Sequence, residues 1–381
     1  MRVLMIHPNW KAYSEIWLHR MIKYLSGNIA GMACFSPDKK IWNKNIPVFD
    51  LYGPKNNIVR RIIYRAGFAI YFLNTDVQKH FNDFLKRVKP TVIFINFIGP
   101  ALYLKKALSD LEIPVIIHVH GADIFPDMMD MTTLKPIHSS AYKKEVLELY
   151  QSIHNIHFIA NSFFSRKKLK DFGIPENKIS IKYFGVKCEN AKTNFNKDLK
   201  ILFLGRFVDF KGPDIVVEAF IMACERGFSG ALTMVGDGPL RSMCMLMAFK
   251  SDYADRIIFK DPVDEEEALM HFKEADIYTM HNCKGIISGQ EETFGVTIIE
   301  AMAQGTPVIT GNSGGPAEIL TDGYNGFLIE PYNVNDHVNK FLFFQNNPQL
   351  LPIMSKNCIK TIEQKFLSEK ERECLLGILA D

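Results

Sequence analysis

Residues 291–309 read EETFGVTIIEAMAQGTPVI, with two carboxylates, Glu292 and Glu300, eight residues apart. Ile298, Ile299 and Met302 recur at helical spacing, so a helix should run from about Gly295–Val296 to about Gln304. Gly305 is the natural stop, and "TPVIT" after it is the next strand. Upstream, "DIYTMHN" is a strand leading into a loop over 282–294. Strand, loop, helix, glycine and strand make one unit of a parallel sheet. Main-chain amides at a helix start bind anions without side chains, and Gly295 lets a ligand approach the backbone. Glu292 precedes the helix and Glu300 lies more than a turn inside it. The two are therefore not one stacked acid–base pair. They are placed to grip two separated hydroxyl-bearing parts of one ligand, with phosphates between. The apolar neighbours bury Glu300 in part, and buried acids carry partners.

The same alternation extends both ways. "RVLMIHP", "TVIFINF", "PVIIHVHG" and "IHFIANS" are apolar runs followed by turn chemistry in the first half. "KILFLGR", "ALTMVGDG", "RIIFKDPV", "TPVITG" and "GFLIEP" repeat the pattern in the second, with helical segments over 213–227 and 264–274. Runs apolar on both faces suit central parallel strands. The polar, aperiodic stretch 187–198 reads as a linker. The expected organisation is α/β: two Rossmann-like, doubly wound parallel-sheet domains over 1–186 and 199–360, facing a cleft. A C-terminal helix over 361–381 is expected to cross back to the first. Open α/β sheets bind ligands outside the carboxyl ends of their strands.

The 381 residues are 47% apolar and 23% charged, an ordinary soluble composition. No window reaches about 18 uncharged apolar residues, and the start is too short in apolar residues for a signal peptide. Seven scattered cysteines without a C-x-x-C argue for a reducing cytoplasm over a zinc or disulfide framework. The net charge of +3 hides an asymmetry. Residues 1–190 hold 27 Lys+Arg against 15 Asp+Glu, and residues 191–381 hold 18 against 27. No nucleic-acid motif accompanies the basic half, so an anionic membrane surface is its expected partner. "NNIVRRIIYRAGFAIYFLN" (56–74) sets Arg60, Arg61 and Arg65 among apolar residues, as an in-plane amphipathic helix or an ordinary core helix would.

In "GRFVDFKG" (205–212) a strand ends in glycine, and Arg206 and Lys211 follow in a loop before a helix. A forked donor and a mobile point charge there suit a phosphate. In "HVHGADIFP" (118–126), His120 and Asp123 fall just past a strand end, while His118 points to the other face.

The stretch 292–309 resembles the E-x7-E signature of retaining GT-B glycosyltransferases of the family four, or group 1, type. So do "GRFVDFKG", "VGDGPLR" (235–241), "NSGGPAEIL" (312–320) and "GFLIEP" (326–331), in that family's order. "IANSFFSRKKLKDFGIPENKISIKYFGV" (159–186) is similar to its domain-closing segment. The resemblance implies that Glu300 binds the ribose of a UDP- or GDP-sugar and that Glu292 reaches the transferred sugar. It implies that Arg206 and Lys211 hold the diphosphate, and that amides of Phe294, Gly295 and Val296 complete the site. The backbone near Gly236 and Asp261–Val263 would meet the base, and His120 the sugar. The family usually works without a metal, and no D-x-D stands in a plausible donor loop.

The first loop departs from the pattern. "HPNWKAYSEIW" (7–17) lacks the paired glycines that many relatives place there. Glu15 aligns with an acid that often follows them and, with Asp123, marks the expected acceptor region. The resemblance thus implies a metal-independent hexosyltransferase making surface polysaccharide or glycolipid, cytoplasmic and peripheral to the membrane. A non-catalytic nucleotide-sugar-binding subunit and a GT-B-fold sugar-nucleotide epimerase are the alternatives.

Overall fold

The computed structural model describes residues 1–8, 16–35, 45–51 and 75–380. Glu15, Arg60, Arg61 and Arg65 lie outside them. Contacts divide the chain into two compact units. One comprises Met1–Asp127, Ile137–Lys182 and Arg372–Asp381, and the other Met128–Pro136 and Tyr183–Glu371. The first boundary thus falls at 182/183, a few residues before the polar stretch, and the last at 371/372, inside the helix Ser368–Ala380.

The first unit holds seven parallel strands: β1 (Val3–Ile6), β2 (Ile29–Cys34), β3 (Val48–Asp50), β4 (Val92–Asn96), β5 (Val115–His118), β6 (Ile156–Ala160) and β7 (Ile179–Ile181). Their order is β3-β2-β1-β4-β5-β6-β7. Every residue of β1, β4 and β5 is buried, as central strands covered on both faces require. Covering each Ile, Val or Phe there contributes about 1.5–3 kcal/mol. The edge strand β3 is only half-buried throughout. After β6, Ser162 and Ser165 exchange side-chain-to-amide hydrogen bonds, both 3.0 Å, and start the helix Phe163–Asp171.

The second unit holds six parallel strands: β8 (Lys200–Leu204), β9 (Ala231–Val235), β10 (Ile257–Lys260), β11 (Ile277–Thr279), β12 (Val308–Gly311) and β13 (Gly326–Ile329). Their order is β10-β9-β8-β11-β12-β13. The expected helices form at Pro213–Glu225, Glu265–Glu274 and Val296–Ala303. Gly212, at φ 57°, and Pro213 at the first turn set the entry of the first of these. In both sheets the strand order reverses, between β1 and β4 and between β8 and β11. Each reversal opens a crevice outside the strand ends, where doubly wound sheets hold ligands.

Candidate active site

In the second unit, the loops after β8 and β11 meet at the reversal point. Lys211 Nζ lies 2.9 Å from Glu292 Oε2, with the two side chains 9% and 17% exposed. Glu292 Oε1 accepts a hydrogen bond from Thr293 N at 3.1 Å. Burial opposes ionisation of Glu292. The Lys211 ammonium, its hydrogen bond and the Arg206 charge outweigh that and hold the carboxyl below its ordinary range. Arg206 is exposed, its guanidinium 5.7 Å from the centre of the Phe210 ring.

Main chain packs against main chain around this pair. A Cβ on Gly236 would lie 2.1 Å from Gly205 O, and one on Gly238 2.6 Å from Phe207 O. The "GDGPLR" loop therefore lies flush on the "GRF" loop, joined by Phe207 N donating to Asp237 O at 2.9 Å. On the other side, Cβ atoms on Gly314 and Gly315 would come within 2.1 Å of Glu292 O and 2.0 Å of Thr293 O. Gly315 N donates to Glu292 O at 2.9 Å. Gly295, at φ 99°, turns the chain into the helix Val296–Ala303. Glu300 is half-buried within that helix. Tyr278 OH donates to Leu204 O at 3.0 Å and meets Thr297 Oγ1 at 2.8 Å. Burial raises the Tyr278 phenol well above its ordinary range, so it stays neutral there.

Phe294 presents only its main chain. Its buried ring packs on Tyr183, Phe184 and Phe366 with centroids 5.5–5.8 Å apart. Gly236 and Val263 are half-buried in loops, and Val296 is half-buried at the start of the helix Val296–Ala303. The structure thus brings Lys211 and Glu292 into contact and sets the Gly236 loop against the Arg206 loop. Sequence reasoning missed Asp209, which joins the loop after β8 to the loop after β11 through Ile287 and Ser288. A polar residue between Arg206 and Lys211 was its one signal.

In the first unit, the reversal point is lined differently. His120 is 6% exposed, its ring stacked on Trp17 at 4.2 Å and 21°, and 4.4 Å from Phe97. His120 Nε2 is 3.4 Å from Asn96 Oδ1. Burial, then the His7 and Lys182 charges, drives its pKa well below the ordinary value, so the imidazole is neutral. Asp123, expected in the acceptor region, spends both carboxylate oxygens on main-chain donors. Ile98 N donates at 2.9 Å and His120 N at 2.8 Å. It shapes the loop and starts the helix Ile98–Ser109. His118 is fully buried. Phe97 has φ 69° and ψ 151°, a region that side chains avoid. Such strain costs about 1–3 kcal/mol and clusters at ligand sites. Trp17, Phe97 and the buried Lys182 at the end of β7 gave no sequence signal, because contacts across strand ends have no fixed spacing.

Among the described residues, no group of three or more His, Cys, Asp or Glu is placed to hold a metal ion. None of their helices is long and apolar enough to cross a membrane.

Residues 187–364 match the family model of glycosyl transferases group 1. An uncharacterized glycosyltransferase of Methanocaldococcus jannaschii is 28% identical over 276 residues, 71% of this chain and 68% of the relative. A GDP-mannose-dependent α-(1-6)-phosphatidylinositol monomannoside mannosyltransferase of Mycolicibacterium smegmatis is 32% identical over 136 residues, 35% of each chain. The crystal structure of the Anabaena protein HepE in complex with UDP superposes over 100% of both chains, with a TM-score of 0.73 and 17% identity. The two reversed-order parallel sheets, the ordered loop motifs and these matches converge: residues 187–364 are a region of the glycosyl transferases group 1 type, and the chain has the GT-B fold.

Proposed function

We propose that this glycosyltransferase is a retaining, metal-independent hexosyltransferase. It takes a sugar from a UDP- or GDP-sugar and passes it to a glycan or lipid-linked acceptor in surface polysaccharide or glycolipid synthesis. The reading rests on the Lys211–Glu292 pair, 2.9 Å apart and enclosed by glycine-dense loops at a topological switch point. The mannosyltransferase relative, whose name specifies GDP-mannose and a lipid acceptor, and HepE, crystallised with UDP, support it.

A diphosphate entering beside Gly205, Gly236 and Gly295 meets main-chain amides and competes with Glu292 for the Lys211 ammonium. Glu292, released, turns to hydroxyls of the transferred sugar, and Glu300 takes the ribose. Arg206 closes on the diphosphate from the exposed side. Lys211, Arg206 and the helix start then carry the charge that develops as the bond from anomeric carbon to phosphate oxygen breaks. The departing phosphate oxygen accepts the acceptor's proton as the new glycosidic bond forms on the same face. His120, neutral between two aromatic rings, orients the sugar.

Release of UDP or GDP from a panel of UDP- and GDP-sugars, with and without chelator, tests the reading. Release by the wild type that persists in chelator is expected. Proton NMR of the product decides the stereochemistry: an α donor should give an α linkage. A β linkage, or no release from any donor, overturns the proposal. Peripheral binding to anionic membranes through Arg60, Arg61 and Arg65 completes the proposal. Replacing all three with Gln should weaken binding to anionic vesicles by about 1 kcal/mol per charge, and unchanged binding removes that part.

A further inference from the structure

Asp209 lies in the turn between Arg206 and Lys211 and is half-buried. Its Oδ2 accepts from Ile287 N and Ser288 N, both at 2.8 Å. Its Oδ1 accepts from Ser288 Oγ at 2.6 Å and Phe210 N at 2.8 Å. Two of these four donors are amides of the irregular loop that runs from β11 to Glu292. Gly285 approaches so closely that a Cβ there would lie 2.4 Å from Asp209 Oδ1.

The neighbouring contacts form a ladder between the same two loops. Lys211 O accepts from His281 N at 3.1 Å, and Phe210 O from Cys283 N at 3.1 Å. Lys211 Nζ closes the ladder on Glu292. Its outer side is covered by the segment Met128–Pro136. Met129 N donates to Ser288 O at 3.1 Å, and Asp209 N to Met131 Sδ at 3.4 Å. Lys211 stands two residues after Asp209, and Glu292 four residues after Ser288.

The geometry points to Asp209 as a positioning residue that locks the Lys211 loop to the Glu292 loop through Ser288, and so sets the separation of diphosphate cation and sugar-binding carboxylate. The inference rests on the donor-site reading of Lys211 and Glu292. Both hydrogen-bond donors of Ser288, its N–H and its O–H, go to this one carboxylate, and hydrogen bonds to a carboxylate are charge-assisted. Asp209 touches no substrate in this arrangement and acts through the two residues it sets in register.

Two measurements on the full chain test it. In amide hydrogen exchange, Asp209→Asn should raise exchange over 284–289 and also over 291–295, with the helix Pro213–Glu225 unchanged. Faster exchange confined to 284–289 would show a local clasp only and overturn the inference. In turnover, read as UDP or GDP release, Asp209→Asn should cost about 10²-fold in kcat, with affinity for UDP or GDP itself within about twofold. The same substitution in a Glu292→Gln background should add little, since the register it sets no longer serves a carboxylate. Equal losses in both backgrounds, or parallel losses in kcat and nucleotide affinity, overturn the inference. Wild-type turnover in Glu292→Gln alone would instead defeat the donor-site reading while leaving the exchange result standing. Ser288→Ala, which removes one hydrogen bond and keeps the charge, should give a smaller loss of the same kind.

Discussion

The two sheets share a strand order and a reversal point, yet their carboxyl edges are built from opposite materials. The second unit uses Gly205, Gly236, Gly238, Gly314 and Gly315, backbone against backbone, with Gly295 turning the chain into a helix and an ion pair between buried Lys211 and half-buried Glu292. The first uses rings: Trp17, Phe97, His118 and His120 packed face and edge at 4.2–6.3 Å, with Asp123 spent on main-chain amides. Topology fixes where a ligand goes, and the edge composition fixes what kind. A helix start beside cations suits a charged diphosphate. Rings that sandwich a neutral imidazole suit an uncharged sugar face.

The contrast is easiest to break at the cations. Lys211→Ala and Arg206→Ala should each lower turnover by about 10²-fold while the fold survives, because charge on the leaving diphosphate is met by preorganised positive groups. Near-wild-type release of UDP or GDP by either variant would remove the charged half of the comparison. His120→Ala should be milder, near tenfold or about 1.4 kcal/mol, read from the same assay. A complete loss would mean that the imidazole does more than orient.

Much of this was legible. Strands buried on both faces write themselves as apolar runs, and β1, β4, β5, β6, β8 and β11–β13 were readable that way; the partly covered β9 and the edge strand β10, exposed at Ile258 and Lys260, were read from their apolar residues alone. The half-buried edge strand β3 and the short β7 were not, since three partly covered residues do not distinguish a strand from a loop, and β2 was not, since Gly31 and its alanines break the apolar run. Arg206, Lys211, Glu292 and Glu300 were visible because they stand at fixed distances from a strand end or helix start. Asp123 and Asp209 show the limit. Both are acids beside candidate site residues, and sequence cannot tell a carboxylate aimed at a ligand from one consumed by backbone donors.

That limit yields a sharper test. Asp123→Asn should cost stability, roughly 1.5–3 kcal/mol for a charged hydrogen-bond acceptor, in thermal unfolding. Glu292→Gln should cost turnover with little change in unfolding midpoint. The reverse pattern would exchange the roles assigned to the two acids.

The smallest effect is one of pH. His281 Nε2 accepts from Tyr332 N at 2.8 Å, and its Nδ1 meets His337 Nδ1 at 3.1 Å. His337 Nε2 in turn meets Thr279 Oγ1 at 2.7 Å. Burial lowers His281 to about 4 and His337 well below its usual value. Unfolded histidines take up protons near pH 6.5 while these stay neutral, so the unfolded state binds more protons. Stability should therefore decline as pH falls from about 6.5 toward about 4. His281→Gln should flatten that slope in denaturant titrations, and an unchanged slope would assign it to His337, His118 and His120.

The second unit is not the contiguous segment that the family match suggests. The ring of Phe294, at the heart of its site, rests on Tyr183, Phe184 and Phe366, and Gly185 N is held by Glu371 Oε2 at 2.9 Å. Tyr183, Phe184, Gly185, Phe366 and Glu371 all fall outside 187–364. The cover over the Asp209 ladder arrives from Met128–Pro136, upstream of the matched 187–364. Modular exchange is constrained accordingly. A chimera that grafts only 187–364 onto another relative would leave Phe294 without its aromatic neighbours and Ser288 without its cover. Transplanting donor preference intact means moving 183–371 together with the 128–136 hairpin, so the unit of inheritance for this site is two pieces of chain rather than one.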